Sequence, residues 1–179
     1  MARNKRGIDA QVKRDEIAAQ ALDLFLAHGF EATSMAMISH SAGIAPNTIY
    51  WYFEGKDEVF VAALDRLSQS LMAELAEQDF RTVPQQLAWV LDQLGRYQQL
   101  IGTVHGRLAH SPVLSEWHDG FHRMLDAIMV QQLGKTGMSA KRAKLLTTVG
   151  TFVIEGLMSH PHSADQREAV LAWLSGGEA

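Results

Sequence analysis

From Ile17 onward the apolar residues recur at spacings of three and four, and no stretch alternates with the period of a strand. Ile17, Ala21, Leu24 and Phe25 form the stripe of a first helix, expected from Asp9 or Val12 to His28, with Gly29 ending it and Phe30 tucking beneath. Residues 1–8 are expected to be mobile. Met35, Ile38 and Ala42 predict a short second helix, with Ser34 as its N-cap and Gly43 where a positive φ is needed. Pro46 suits the first turn of a third helix, whose buried pair is Ile49 and Phe53. Thr48, Tyr50, Trp51 and Tyr52 are then left mostly outside. A soluble protein rarely presents so many aromatics without a partner. Residues 34–53 therefore read as a helix-turn-helix, a unit that lays its second helix in the major groove of DNA.

Glu54-Gly55 turns into a long helix beginning near Lys56-Asp57. Phe60, Leu64, Leu67, Leu71 and Leu75 carry one stripe through it, so it is expected to leave the first domain and enter a second without a flexible linker. Thr82 with Gln85 reads as a capping box around Pro84, followed by Leu87, Val90, Leu91, Leu94 and Tyr97 on one face. Gly95, Gly102 and Gly106 weaken this segment, and a break is expected near Gly102. Ser111-Pro112 opens a helix striped by Val113, Trp117, Phe121, Leu125 and Ile128, ending between Gly134 and Gly137. Ser139 caps the next, which Pro161 stops. Ser163 and Gln166 form a second capping box before a last helix with Val170, Leu171 and Leu174, closed by Gly176-Gly177. The fold class predicted is all-α, with eight or nine helices. It comprises a three-helix helix-turn-helix domain over 1–55 and a helical bundle domain over 56–179.

The net charge of −4 argues against a nucleic-acid partner until its distribution is considered. Residues 1–14 hold Arg3, Lys5, Arg6, Lys13 and Arg14 against Asp9, a net of +4, which leaves −8 for the remainder. A basic arm ahead of an acidic body can bind a polyanion locally. There are no cysteines, which removes disulfide and thiolate chemistry and suits a reducing cytoplasm. No apolar run reaches the roughly 20 residues of a membrane span, and the basic N-terminus lacks the apolar core of a signal peptide.

Residues 17–64 resemble the DNA-binding domain of the TetR (tetracycline repressor) family of bacterial transcriptional regulators. The resemblance rests on Leu24-Phe25 with Gly29-Phe30, Thr33-Ser34, Ala42-Gly43-Ile44, Thr48-Ile49-Tyr50 with Tyr52-Phe53, and Lys56-Asp57-Glu58. It implies a cytoplasmic, nucleoid-associated homodimer that binds a palindromic operator, most often as a ligand-released repressor. The positions it turns towards DNA are Ser34, Pro46, Asn47, Thr48, Tyr50, Trp51, Tyr52 and Lys56. The last two helices, 141–160 and 163–175, would form the dimer surface, where Gly150, Gly156 and the threonines 147, 148 and 151 permit close approach. The C-terminal domain would hold a small-molecule effector, with Trp89, Tyr97, His105, Trp117, Phe121, His122 and Met124 as candidate lining residues.

From Asp15 to Gly55 there is no lysine or arginine, a departure from many relatives, so the arginine-to-guanine fork is not available there. Asn47 can pair with adenine N6 and N7, and Thr48 and the aromatic edges can pack on thymine methyls, so the contacted positions are expected to lean towards A·T. The positive ends of helices, with Ser34, the Tyr50 and Tyr52 hydroxyls and Lys56, would hold phosphates. Plainer roles stand beside these: Lys56 as a solvated helix start, Trp51 packed on a neighbouring helix, Pro46 shaping a helix entrance. His118 and His122 have metal-ligand spacing but no evident third ligand, so no metal site and no cofactor are expected. No nucleophile–base motif, glycine-rich phosphate loop or carboxylate cluster points to an enzyme. The alternative class is a helical adaptor or ligand carrier whose helix-turn-helix is only scaffold.

Overall fold

The computed structural model describes residues 2–81, 83–135 and 137–174. Among them are eight α-helices: α1 Ala2–His28, α2 Met35–Ser41, α3 Lys56–Glu77, α4 Val83–Arg96, α5 Gln98–Arg107, α6 Pro112–Lys135, α7 Ala140–Ser159 and α8 Ala164–Leu174. A 3-10 turn lies at Ile49–Trp51, and no strand occurs among these residues. The cap expected at Thr82 and the close of the last helix at residues 175–177 lie outside the described residues.

The packing divides the chain into two units. The first runs up to Gln78 and includes Gln99–Trp117; the second takes Asp79–Gln98 and the chain from His118. The long helix α3 thus groups with the helix-turn-helix, and Val59, Phe60, Ala63, Leu64 and Leu67 are its buried residues.

In the first unit α1 packs chiefly along α3 and also on α2. Phe25, Phe30 and Phe60 meet with ring centroids 4.9–5.5 Å apart, and Ile17, Ala21, Ile38, Ile49 and Val59 have no exposed surface. Helix α1 begins at Ala2, so the segment expected to be mobile before Asp9 is its first turns.

The corner of the helix-turn-helix is a Schellman motif. Ile44 N–H donates to Ser39 O at 3.0 Å and Gly43 N–H to His40 O at 3.1 Å, with Gly43 at φ 64°. A Cβ at Gly43 would meet nothing within 4 Å, so alanine there costs only backbone strain. Gly43→Ala is therefore expected to lower stability by about 1 kcal/mol, read as a lower urea midpoint at unchanged slope. A midpoint equal to wild type would show that the corner does not need the left-handed residue.

In the second unit α4 packs on α7 and α8, burying Leu91, Leu171 and Leu174. Ser163 and Gln166 form the reciprocal capping box, with bonds of 3.0 and 3.1 Å. Arg167 reaches Asp92 at 2.7 Å and the Ala88 carbonyl at 3.2 Å. The break expected near Gly102 falls instead at Tyr97, whose N–H bonds to Leu94 O at 3.1 Å; Gly102 lies within α5. A glycine lowers helix propensity without breaking a helix, whereas tertiary packing decides where the chain turns.

Candidate nucleic-acid interface

Ser34 caps α2, its hydroxyl accepting the Met37 N–H at 3.2 Å. After the corner, Pro46 and Asn47 are exposed. The third helix expected here is not an α-helix. Thr48 N–H bonds to Ala45 O, Trp51 to Thr48 O and Tyr52 to Ile49 O, three-residue steps that close in the 3-10 turn, and Phe53 N–H adds one four-residue step to Ile49 O at 3.0 Å. The cause is local: Thr48–Phe53 is all β-branched or aromatic, poor helix formers, and only Ile49 and Phe53 are buried to hold it. They are 0% and 1% exposed, so the anchoring pair read from the sequence holds.

Around those anchors Tyr50 is 55% and Trp51 88% exposed, while Thr48 and Tyr52 are half-buried. Trp51 therefore does not pack on a neighbouring helix. The surface offered outward is amide, hydroxyl and aromatic edge.

The cations near it serve the fold. Lys56 Nζ donates to the carbonyls of Phe30 at 2.8 Å and Thr33 at 3.0 Å, and lies 4.2 Å from the Phe30 ring centroid. It ties the start of α3 to the α1–α2 connection, which its sequence position did not reveal. Arg14 donates to the Tyr52 carbonyl and stacks 4.2 Å from the Phe53 centroid. Lys13 pairs with Glu16 at 2.8 Å. Two of the five basic residues before Asp15 thus act within the domain. Sequence reading placed Arg14 with the arm; its target is a backbone carbonyl, which leaves no sequence signature. An open cleft of about 550 Å³ adjoins Trp51, and its lining sets Glu54, Glu58 and Asp65 against Arg14, an excess of negative charge that opposes a phosphate there.

The seven residues proposed for an effector pocket are divided between the units. Trp89 (against Phe80, centroids 6.1 Å apart), Tyr97, Phe121 and His122 are half-buried in the second, where Met124 is 41% exposed. In the first, His105 is exposed and the Trp117 indole N–H donates to Asp65 at 2.7 Å. His118 and His122 face each other with Nε2 atoms 3.1 Å apart. Among the described residues no group of three or more His, Cys, Asp or Glu side chains is placed to hold a metal ion. None of the described helices is long and apolar enough to cross a membrane.

The family model for bacterial regulatory proteins of the tetR family matches residues 17–63. That segment holds most of α1, the corner, the exposed turn and the start of α3. Residues 17–63 are a TetR-family domain. Over 62 residues the chain is 32% identical to the HTH-type transcriptional regulator TcmR of Streptomyces glaucescens, covering 35% of this chain and 27% of that protein. It is 38% identical over 64 residues to the HTH-type transcriptional regulator SrpR of Pseudomonas putida, covering 36% and 30%. The matched segment thus spans about three tenths of the length of these relatives. Beyond the TetR-family domain the likeness is one of fold. A TetR transcription regulator from Haloarcula marismortui superposes with a TM-score of 0.65 over 93% of this chain and 97% of its own, at 14% identity.

Proposed function

We propose that the protein is a DNA-binding transcriptional regulator that works as a homodimer, reads a palindromic operator with residues 34–53, and acts as a repressor released by a small molecule. The observation that carries this reading is the exposed Asn47–Trp51 surface built on Ile49 and Phe53 inside a TetR-family domain. The curated relatives, named as transcriptional regulators, favour it over an enzyme. One reading head spans only a few base pairs, so a dyad of two suits an operator of two half-sites about one helical turn, or a multiple of it, apart. Leu145 and Phe152, seven apart on α7, are 65% and 67% exposed, and Trp173 on α8 is 63% exposed. Such apolar surface supports pairing through the last two helices. The effector rests on the family resemblance and on Trp89, Tyr97, Phe121 and His122, half-buried in the second unit.

Selection of bound fragments from random duplex DNA tests the reading. Enrichment of a palindrome with A·T-leaning half-sites is the expected result; a chain that stays monomeric and retains no duplex in dilute buffer overturns it and favours the adaptor or carrier.

Electrostatics supply a second test. With Lys13, Arg14 and Lys56 engaged by protein groups, the phosphate term falls to Arg3, Lys5 and Arg6. Changing these three to alanine is expected to flatten the slope of log affinity against log salt by about 5 for a dimer. An unchanged slope would assign the phosphate contacts elsewhere.

A further inference from the structure

The start of α3 is the point on which the reading surface hangs. On one side Lys56 holds the carbonyls of Phe30 and Thr33, next to the cap Ser34. The Thr33 hydroxyl donates back to the Gly29 carbonyl at 2.8 Å, and Thr33 is 1% exposed. On the other side the Glu58 carboxylate accepts the Glu54 N–H at 2.9 Å, directly after Phe53. One turn of helix thus fixes both ends of the 34–53 segment.

That turn is itself gripped from a distant part of the chain. Arg107 Nε and Nη2 both donate to Asp57 Oδ1, at 3.2 and 2.9 Å, and Nη2 also lies 3.2 Å from Oδ2. Arg107 Nη1 reaches Glu31 Oε1 at 3.4 Å, and the guanidinium carbon sits 4.5 Å from the Phe30 ring centroid. Arg107 therefore touches the two segments that Lys56 joins: the first turn of α3 and the α1–α2 connection. Its backbone is fixed too, because its carbonyl accepts the N–H groups of His110 and Ser111, both at 2.9 Å, as α5 gives way to α6. Asp57 and Arg107 side chains are only 26% and 31% exposed, so water screens the pair less than a surface ion pair. A lysine could supply the charge but not the fork and the stacked plane.

We infer that Arg107 is a positioning residue for DNA binding: through Asp57 and Phe30 it holds the first turn of α3, and with it the Asn47–Trp51 surface, in the geometry that fits a groove. The DNA-reading module is then discontinuous, and residues 99–117 belong to it. This rests on the DNA-binding reading above.

Arg107→Ala, Arg107→Lys, Asp57→Asn and the Arg107→Ala/Asp57→Asn pair, in the full chain, test it against a selected duplex, each at a temperature well below its own melting point. Arg107→Ala is expected to weaken binding about tenfold, the usual reach of a residue that acts without touching the ligand. Asp57→Asn should match it, and the pair should be no weaker than the worse single variant. Arg107→Lys should fall between, and it carries the test should the alanine variant fail to fold. The salt slope should stay at the wild-type value. Folded Arg107→Ala or Arg107→Lys binding as wild type, additive losses in the pair, or a flattened slope that marks a direct phosphate contact would overturn the inference alone. A wild-type chain that binds no duplex would remove the DNA-binding reading and the inference with it.

Discussion

Changing Asn47 and Tyr50 together to alanine is expected to lower affinity for a selected duplex about 100-fold, from two lost contacts of the usual size for base readout. Both side chains are exposed, Tyr50 at 55%, and neither contributes to the buried core. Folding should therefore be almost untouched, and the urea midpoint should match wild type. Asn47→Ala alone should relax preference at the position where an adenine is paired, because the amide offers one donor and one acceptor to adenine N7 and N6. Tyr50→Phe separates the ring from the hydroxyl: a loss as large as that of alanine assigns Tyr50 to a polar contact. Binding that survives the double change, measured by fluorescence anisotropy, would place the groove contacts elsewhere.

The largest expected effect on stability is at Phe60. The ring is 0% exposed and closes the cluster with Phe25 and Phe30, at centroid distances of 5.0 and 4.9 Å. Truncation to alanine removes that burial and leaves a cavity among side chains that α1 and α3 hold fast, for a loss of about 4 kcal/mol. It also strips the support from the Phe30 ring on which Lys56 and Arg107 lie. DNA binding should accordingly fall together with stability, unlike the Asn47/Tyr50 pair. A loss below about 1 kcal/mol in urea denaturation would mean that the cluster is not the keystone of the first unit.

How far the sequence foretold this arrangement depends on the range of the interaction. Ser34, Gly43, Ser139 and the Ser163–Gln166 pair act within four residues of themselves, and each was legible as a cap or corner. So were Ile49 and Phe53, since burial at four-residue spacing needs no knowledge of the partner. The helix between them is shorter and tighter than an α-helix, because periodicity locates a buried face without fixing the hydrogen-bond step. Arg14, Lys56 and Arg107 were hidden for another reason. Their acceptors are backbone carbonyls or a carboxylate 50 positions away, and a cation in a sequence carries no mark of where it will be spent. The grouping of residues 99–117 with the first unit was likewise invisible to a reading that looked for a boundary along the chain.

Between Asp15 and Gly55 the chain holds five carboxylates and no lysine or arginine, and the nearest cations on either side are bound to protein groups. Whatever hold bulk chromosomal DNA has through charge should therefore rest on the arm, Arg3, Lys5 and Arg6, and not on the reading surface. A variant lacking those three charges would meet the genome's millions of competing sites as poor decoys, while the amide, hydroxyl and aromatic contacts that tell one operator from the rest stay in place.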